Sequence, residues 1–199
     1  MSQNKVVYGL KNVHIAFVTD DGYKTPVAIK GAVSLSLSPE GETTPFYADD
    51  TVYFLSSANN GYSGDMEFAL LTDEIKAEML GWEIDSYGAI VETTSGQPKK
   101  FALLGEVTGD KKNRRFVYYD VQASRPDENA KTKEGGISIE GEKLPIKITP
   151  VIKNGKEITK SVLEQNITNT VKYEAFYESV YLPDFEEIEE EEEEIEGEE

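Results

Sequence analysis

Alternation of apolar and polar residues with a period of two runs through most of this chain. It constrains the fold more than any other feature, because only a pleated strand places alternate side chains on opposite faces. Over 32–38, Val33, Leu35 and Leu37 alternate with Ser34, Ser36 and Ser38. Over 65–71, Met66, Phe68 and Leu70 alternate with Asp65, Glu67 and Ala69. Both patterns predict strands with one buried and one polar face. Segment 115–121 is rich in Val, Tyr and Phe, which suit a pleated surface. Further strands are expected at 14–18, 101–108 and 137–148, the last interrupted at Gly141–Glu142. Asp21–Gly22 and Asn154–Gly155 are tight-hairpin signals, and 109–113 (GDKKN) joins two strands by a longer turn. About eight strands joined mostly to their sequence neighbours predict a mainly β protein. The expected fold is an antiparallel β-sandwich or barrel with one or two short flanking α-helices.

Two segments follow a helical period instead. Thr72 is placed to cap a helix Asp73–Leu80, with Asp73 and Glu74 at its positive end, Gly81 at its stop, and Ile75, Met79 and Leu80 as the buried stripe. Tyr173, Phe176, Tyr177 and Val180 fall at i, i+3, i+4 and i+7, a second stripe closed by Pro183, with a strand as the rival reading because Tyr and Val also favour sheets. Trp82, just past the first helix, is expected in the core.

Charge divides the chain unequally. Of 38 acids, twelve lie in 184–199 (DFEEIEEEEEEIEGEE), which leaves 26 acids against 20 bases, a net of −6, for 1–183. A block of like charges repels itself, so 184–199 is expected to be a disordered appendage to a single domain spanning 1–183. A mildly acidic body does not suit sequence-independent DNA binding, which needs Lys and Arg against phosphate. An inhibitor mimicking DNA would need acid across the whole body.

Several chemistries find no residues to carry them. With no cysteine and one histidine, thiolate metal sites, thiol nucleophiles and histidine metal clusters are excluded. His14 sits between Val13 and Ile15 and reads as a structural or surface residue; no G-x-S-x-G elbow accompanies it. Phosphate-binding glycine loops are absent. Asp20–Asp21 and Asp49–Asp50 lack calcium-loop spacing and read as turns. No acid pair stands out for a carboxylate hydrolase. Neither an apolar run of signal-peptide length at 1–10 nor one long enough to span a bilayer occurs, so a soluble protein without its own export signal is expected, and the Asn166 sequon is expected to stay bare. The expectation is a protein that is not an enzyme, has no cofactor or metal, and works by binding copies of itself or another protein.

One excursion stands out. Segments 39–48 and 56–64 flank a strand at 49–55, so 39–64 reads as a long projecting arm. Long excursions from compact domains are usually functional.

The order of these segments resembles the major tail proteins, the tail-tube subunits, of long-tailed bacteriophages of Gram-positive hosts. The stretches carrying it are VVYGLKNVHIAFVTDDG, VSLSLSPEGETTPFYADDTVY, GYSGDMEFALLTDEIKAEMLGWEIDSYGAIVE, the strand at 101–104 with RRFVYYDVQASRPDENAKTKEG, and YEAFYESVYLP. Together they span 5–183 and leave out the acidic tail. The resemblance implies a virion structural protein, made in the host cytoplasm, that self-assembles into hexameric rings. The rings stack into a tube around a tape-measure protein, between tail terminator and tip proteins. DNA passes through the lumen without specific binding, and no membrane is involved. On this reading 39–64 is the stacking arm, with Phe46, Tyr47, Tyr53 and Tyr62 as contact anchors, and Asp65 and Glu67 are candidates for the lumen lining. A second reading is a phage decoration protein or a host-surface adhesin that binds carbohydrate.

Overall fold

A computed structural model describes residues 9–48, 50–128 and 141–185. In chain order the strands are β1 (Leu10–Thr19), β2 (Gly22–Tyr23), β3 (Val27–Ala28), β4 (Ala32–Glu40), β5 (Thr43–Ala48), β6 (Thr51–Ser57) and β7 (Gly61–Phe68). After helix α1 (Asp73–Leu80) come β8 (Glu83–Ile84), β9 (Ile90–Val91), β10 (Phe101–Val107), β11 (Arg115–Ala123), β12 (Glu142–Ile148), β13 (Val151–Lys153), β14 (Lys156–Ile158) and β15 (Lys160–Leu163). Helix α2 (Thr170–Glu174) and a 3-10 turn (Ala175–Tyr177) close the described chain. The protein is mainly β and antiparallel, with two short helices. Its main sheet runs β2-β1-β10-β11-β12-β7-β4, with β3 on β1 and β15 on β11, and does not close into a barrel.

Two apolar cores lie on opposite faces of the central strands. Val13, Ile15 and Phe17 of β1, Phe101 and Leu103 of β10, and Met66, Phe68, Leu144, Ile146 and Ile148 from the β7–β12 half share one core, capped by Leu71, Met79 and Leu80. Ala16, Ala102, Leu104, Val117 and Tyr119 point the other way, into a second core covered by Phe176 with Tyr177, Val180 and Tyr181. Strand β10 is therefore buried on both faces.

A β-bulge in β11 makes this arrangement possible. Phe101 pairs with Val121 but Leu103 with Tyr118, so β11 carries an extra residue at Tyr119–Asp120. The bulge switches the faces: Val117 and Tyr119 serve the second core, Val121 and Ala123 the first. It also forks the sheet. Arg115–Tyr118 pair with β15, whereas Val121–Ala123 pair with β12. The fork's polar groups are satisfied locally. The Asp120 carboxylate, 8% exposed, accepts from Lys100 Nζ and Thr149 Oγ1, both at 2.7 Å, and the Tyr23 hydroxyl donates to Tyr119 O at 3.1 Å.

The C-terminal cover is anchored through Arg115. Its guanidinium carbon lies 3.9 Å from the Tyr173 ring centre and 4.8 Å from that of Tyr177, and the group donates to Tyr173 O. Glu106, 3.6 Å away, is the counter-ion, at ion-pair rather than hydrogen-bond distance. His14 stacks on Tyr177 at 4.4 Å, so the lone histidine is a packing residue.

The structure corrects several local expectations. A bulge between Ala32 and Ser34 turns Val33 outward, leaving it 53% exposed while Leu35 and Leu37 pack inward. Strand β7 ends at Phe68, so Leu70 is exposed and Leu71 is the buried residue. The first hairpin turns through Asp20–Asp21, since Thr19 pairs with Gly22. Thr72 makes no side-chain cap, and Gly81 ends α1 in the left-handed conformation at φ 72°. Regular helix ends at Tyr177, short of Val180. Strand β12 starts at Glu142; the part of the expected strand before Gly141, like the acidic run 186–199, lies outside the described residues.

Candidate assembly interface

Strands β4 and β7 form a hairpin that outlasts the sheet. They pair from Ala32↔Phe68 to Glu40↔Gly61. The ladder then continues through Asn60 N–H to Glu40 O (2.9 Å) and Ala58 N–H to Glu42 O (3.0 Å) into the β5–β6 pairing, Thr43↔Ser57 to Ala48↔Thr51. The third strand stops earlier, because β12 reaches β7 only as far as Ile148↔Tyr62. Residues 41–60 are thus a two-stranded arm without a third-strand partner among the described residues. Two glycines make its root. Gly61 has φ 96°, and a Cβ there would stand 1.9 Å from Ile148 O. At Gly41 a Cβ would stand 2.0 Å from Ala58 O.

The arm exposes aromatic surface. Tyr53 is 75% and Phe54 61% exposed, and Tyr53 is the extra residue of a bulge in β6, since Phe46 pairs with Phe54 but Tyr47 with Val52. Phe54 was not among the residues singled out from sequence, although its place as a second aromatic beside Tyr53 in the arm was available to find it. Phe46 pairs with Phe54 and Tyr47 with Val52 across a bulge; their side chains lie outside the described set, as does Asp49. Tyr62 belongs to the body. Its ring meets Tyr118 edge-on at 5.8 Å, with Lys160 Nζ 5.1 Å from its centre.

Asp65 and Glu67 lie on the outer polar face of the β4-β7-β12 sheet. The register aligns Ser34, Glu67 and Lys143 in one row and Ser38, Ser63 and Lys147 in another. Asp65 pairs with Lys143 Nζ at 3.0 Å, Glu40 with Lys147 at 3.2 Å, and Glu67 accepts from Ser34 Oγ at 3.0 Å. Hydrogen bonds from Ser63 and Lys147 hold the Glu40 carboxyl below the usual carboxylate range. The face carries three carboxylates and two lysines, mixed rather than acidic.

Among the described residues β4 pairs only β7 and β15 pairs only β11, so each leaves an open strand edge. Exposed Val33 and Val162 mark those edges. Open edges are templates for pairing with another chain.

Among the described residues, no group of three or more His, Asp and Glu side chains is placed to hold a metal ion. A water-sized apolar void of about 10 Å³ lies between β1, β4 and β7, lined by Leu10, Val13, Leu35 and Met66. No described helix is long and apolar enough to cross a membrane. No protein-family model matches the chain, and comparison with curated proteins finds no match.

Proposed function

We propose that this chain is a structural tail-tube subunit of a long-tailed bacteriophage, which self-assembles into stacked hexameric rings. The observation that carries the reading is the hairpin that outruns its sheet. A ladder held by backbone hydrogen bonds projects residues 41–60 and presents the exposed aromatics Tyr53 and Phe54 as anchors for a neighbouring copy.

The open β4 and β15 edges support ring closure by pairing between copies. Stacking is a head-to-tail contact, which propagates along an axis. The mixed polar face around Asp65 and Glu67 suits a lumen through which DNA slides, since its lysines are already paired with carboxylates. Tape-measure, terminator and tip proteins are the partners this role calls for. Sedimentation velocity of the full chain over rising concentration tests it: growth into a ladder of large species is expected. A single monomer boundary at every concentration overturns it.

A further inference from the structure

Three lysines crowd the end of the β13–β14 hairpin and α2 with no carboxylate partner among the described residues. Lys153 and Lys156 flank the Asn154–Gly155 turn and are direct cross-strand partners. Like charges set directly opposite destabilise a hairpin. Lys153 Nζ lies 4.8 Å from the Tyr23 ring centre and Lys156 Nζ 4.1 Å from that of Phe185. Lys172 joins Asn154, Leu182, Asp184 and Phe185 around an open groove of about 530 Å³. The neighbouring acid, Glu157, pairs with Ile152, on the other face of the hairpin from Lys153 and Lys156. Asp184, at the rim, is already engaged.

The chain leaves its described body at this surface. Asn154 Nδ2 donates to Pro183 O at 2.7 Å, and Phe185 sits beneath Lys156. The fourteen residues that follow, 186–199, contain eleven glutamates.

We infer that the acidic run 186–199 docks on its own β13–β14 hairpin, where its carboxylates neutralise Lys153, Lys156 and Lys172. A short tether from Phe185 holds those glutamates at an effective concentration on the order of millimolar, which a free neighbour must match. Each exposed ion pair is weak alone. Eleven carboxylates for three lysines make the contact one of number and tether rather than of a single geometry. The inference needs only the lysines and the exit point of the chain, and stands apart from the tube reading.

Carbodiimide cross-linking of the full chain tests it, using an equal mixture of unlabelled and heavy-nitrogen-labelled protein with the linked peptides read by mass spectrometry. Same-isotope links from 186–199 to Lys153, Lys156 and Lys172 are expected. They should fall several-fold in about 1 M salt, where the screening length is about 3 Å. Links spread evenly over Lys30, Lys111 and Lys143, or no tail links, overturn the inference. Mixed-isotope links making up about half of the total, the share that random pairing between molecules gives, also overturn it, since the occupant is then a second copy. Lys153→Gln with Lys156→Gln should move the links elsewhere; should that variant misfold, the wild-type isotope pattern decides.

Discussion

Tyr62 pairs across the sheet with Ile148, and this is the last rung at which the β4–β7 hairpin has a third strand beside it. Among the described residues the hairpin beyond this rung, 41–60, has no third strand; from Tyr62 onward β7 lies between β4 and β12. The boundary separates residues that hold the fold from residues free to do something else. Shortening the arm is therefore best confined to 42–58, because removing 56–64 would also take Tyr62 and the first rungs of β7.

Tyr53→Ser combined with Phe54→Ser alters side chains that are 75% and 61% exposed. Exposed substitutions of this kind change stability by about 0.5 kcal/mol or less. The urea midpoint should stay within that range while assembly into large species is lost. Normal assembly by the double variant would remove the arm from the interface.

Met66 and Val33 give opposite expectations that the alternation alone would not. Met66 is 1% exposed in the main core, so Met66→Ala should cost about 2–5 kcal/mol. Val33 has been turned outward by the bulge, so Val33→Ser should be neutral within about 0.5 kcal/mol. A large loss at Val33 in the dilute monomer would contradict the bulge.

Arg115→Ala removes the cation held between Tyr173, Tyr177 and Glu106. Breaking a buried ion pair costs about 3–5 kcal/mol. Lys11 and Asn12 still reach Glu106, so about 2–3 kcal/mol is expected here. Amide exchange should quicken first in α2, because its main anchor is gone. Uniform quickening across the sheet would mean that the cluster is not specific to the C-terminal cover.

Tyr119 sets an alkaline limit. Its burial pushes the hydroxyl up from 10.0 to about 12, against a smaller opposing effect of the hydrogen bond to Ser161. Burial likewise raises Tyr23 and Tyr177. A raised folded pKa means that the folded state keeps a proton that the unfolded chain releases. This stability is complete below pH 10.0 and is lost as pH climbs toward about 12. Urea midpoints measured across that window should fall, and Tyr119→Phe should flatten the slope. A pH-independent midpoint would contradict the burial argument.

Much of the architecture was legible from period and turn chemistry. Helix α1 occupies Asp73–Leu80 because acids open it and Gly81 closes it, as local sequence specifies. The Asn154–Gly155 turn likewise needs only its two residues, with φ 48° and 75°. The bulges were not legible. Whether Val33 faces in or out depends on its register with β7, and the fork at Tyr119–Asp120 depends on which strands arrive beside it. Both are long-range facts that a window of neighbours does not contain. The Arg115 anchor was hidden for the same reason: Glu106 faces Arg115 across the β10–β11 hairpin, but Tyr173 and Tyr177 lie far along the chain. At the candidate interface, the arm was visible as an excursion between strands. Its root was not, because Tyr62 looks like a loop residue until Ile148 is placed beside it.

The central claim is that copies of this chain join around an open channel. Negative-stain electron microscopy of the concentrated full-length protein tests it most directly. The account predicts six-fold rings with a central hole in end-on views, and stacks of those rings from the side. Fields of isolated single particles at every concentration and salt would contradict it.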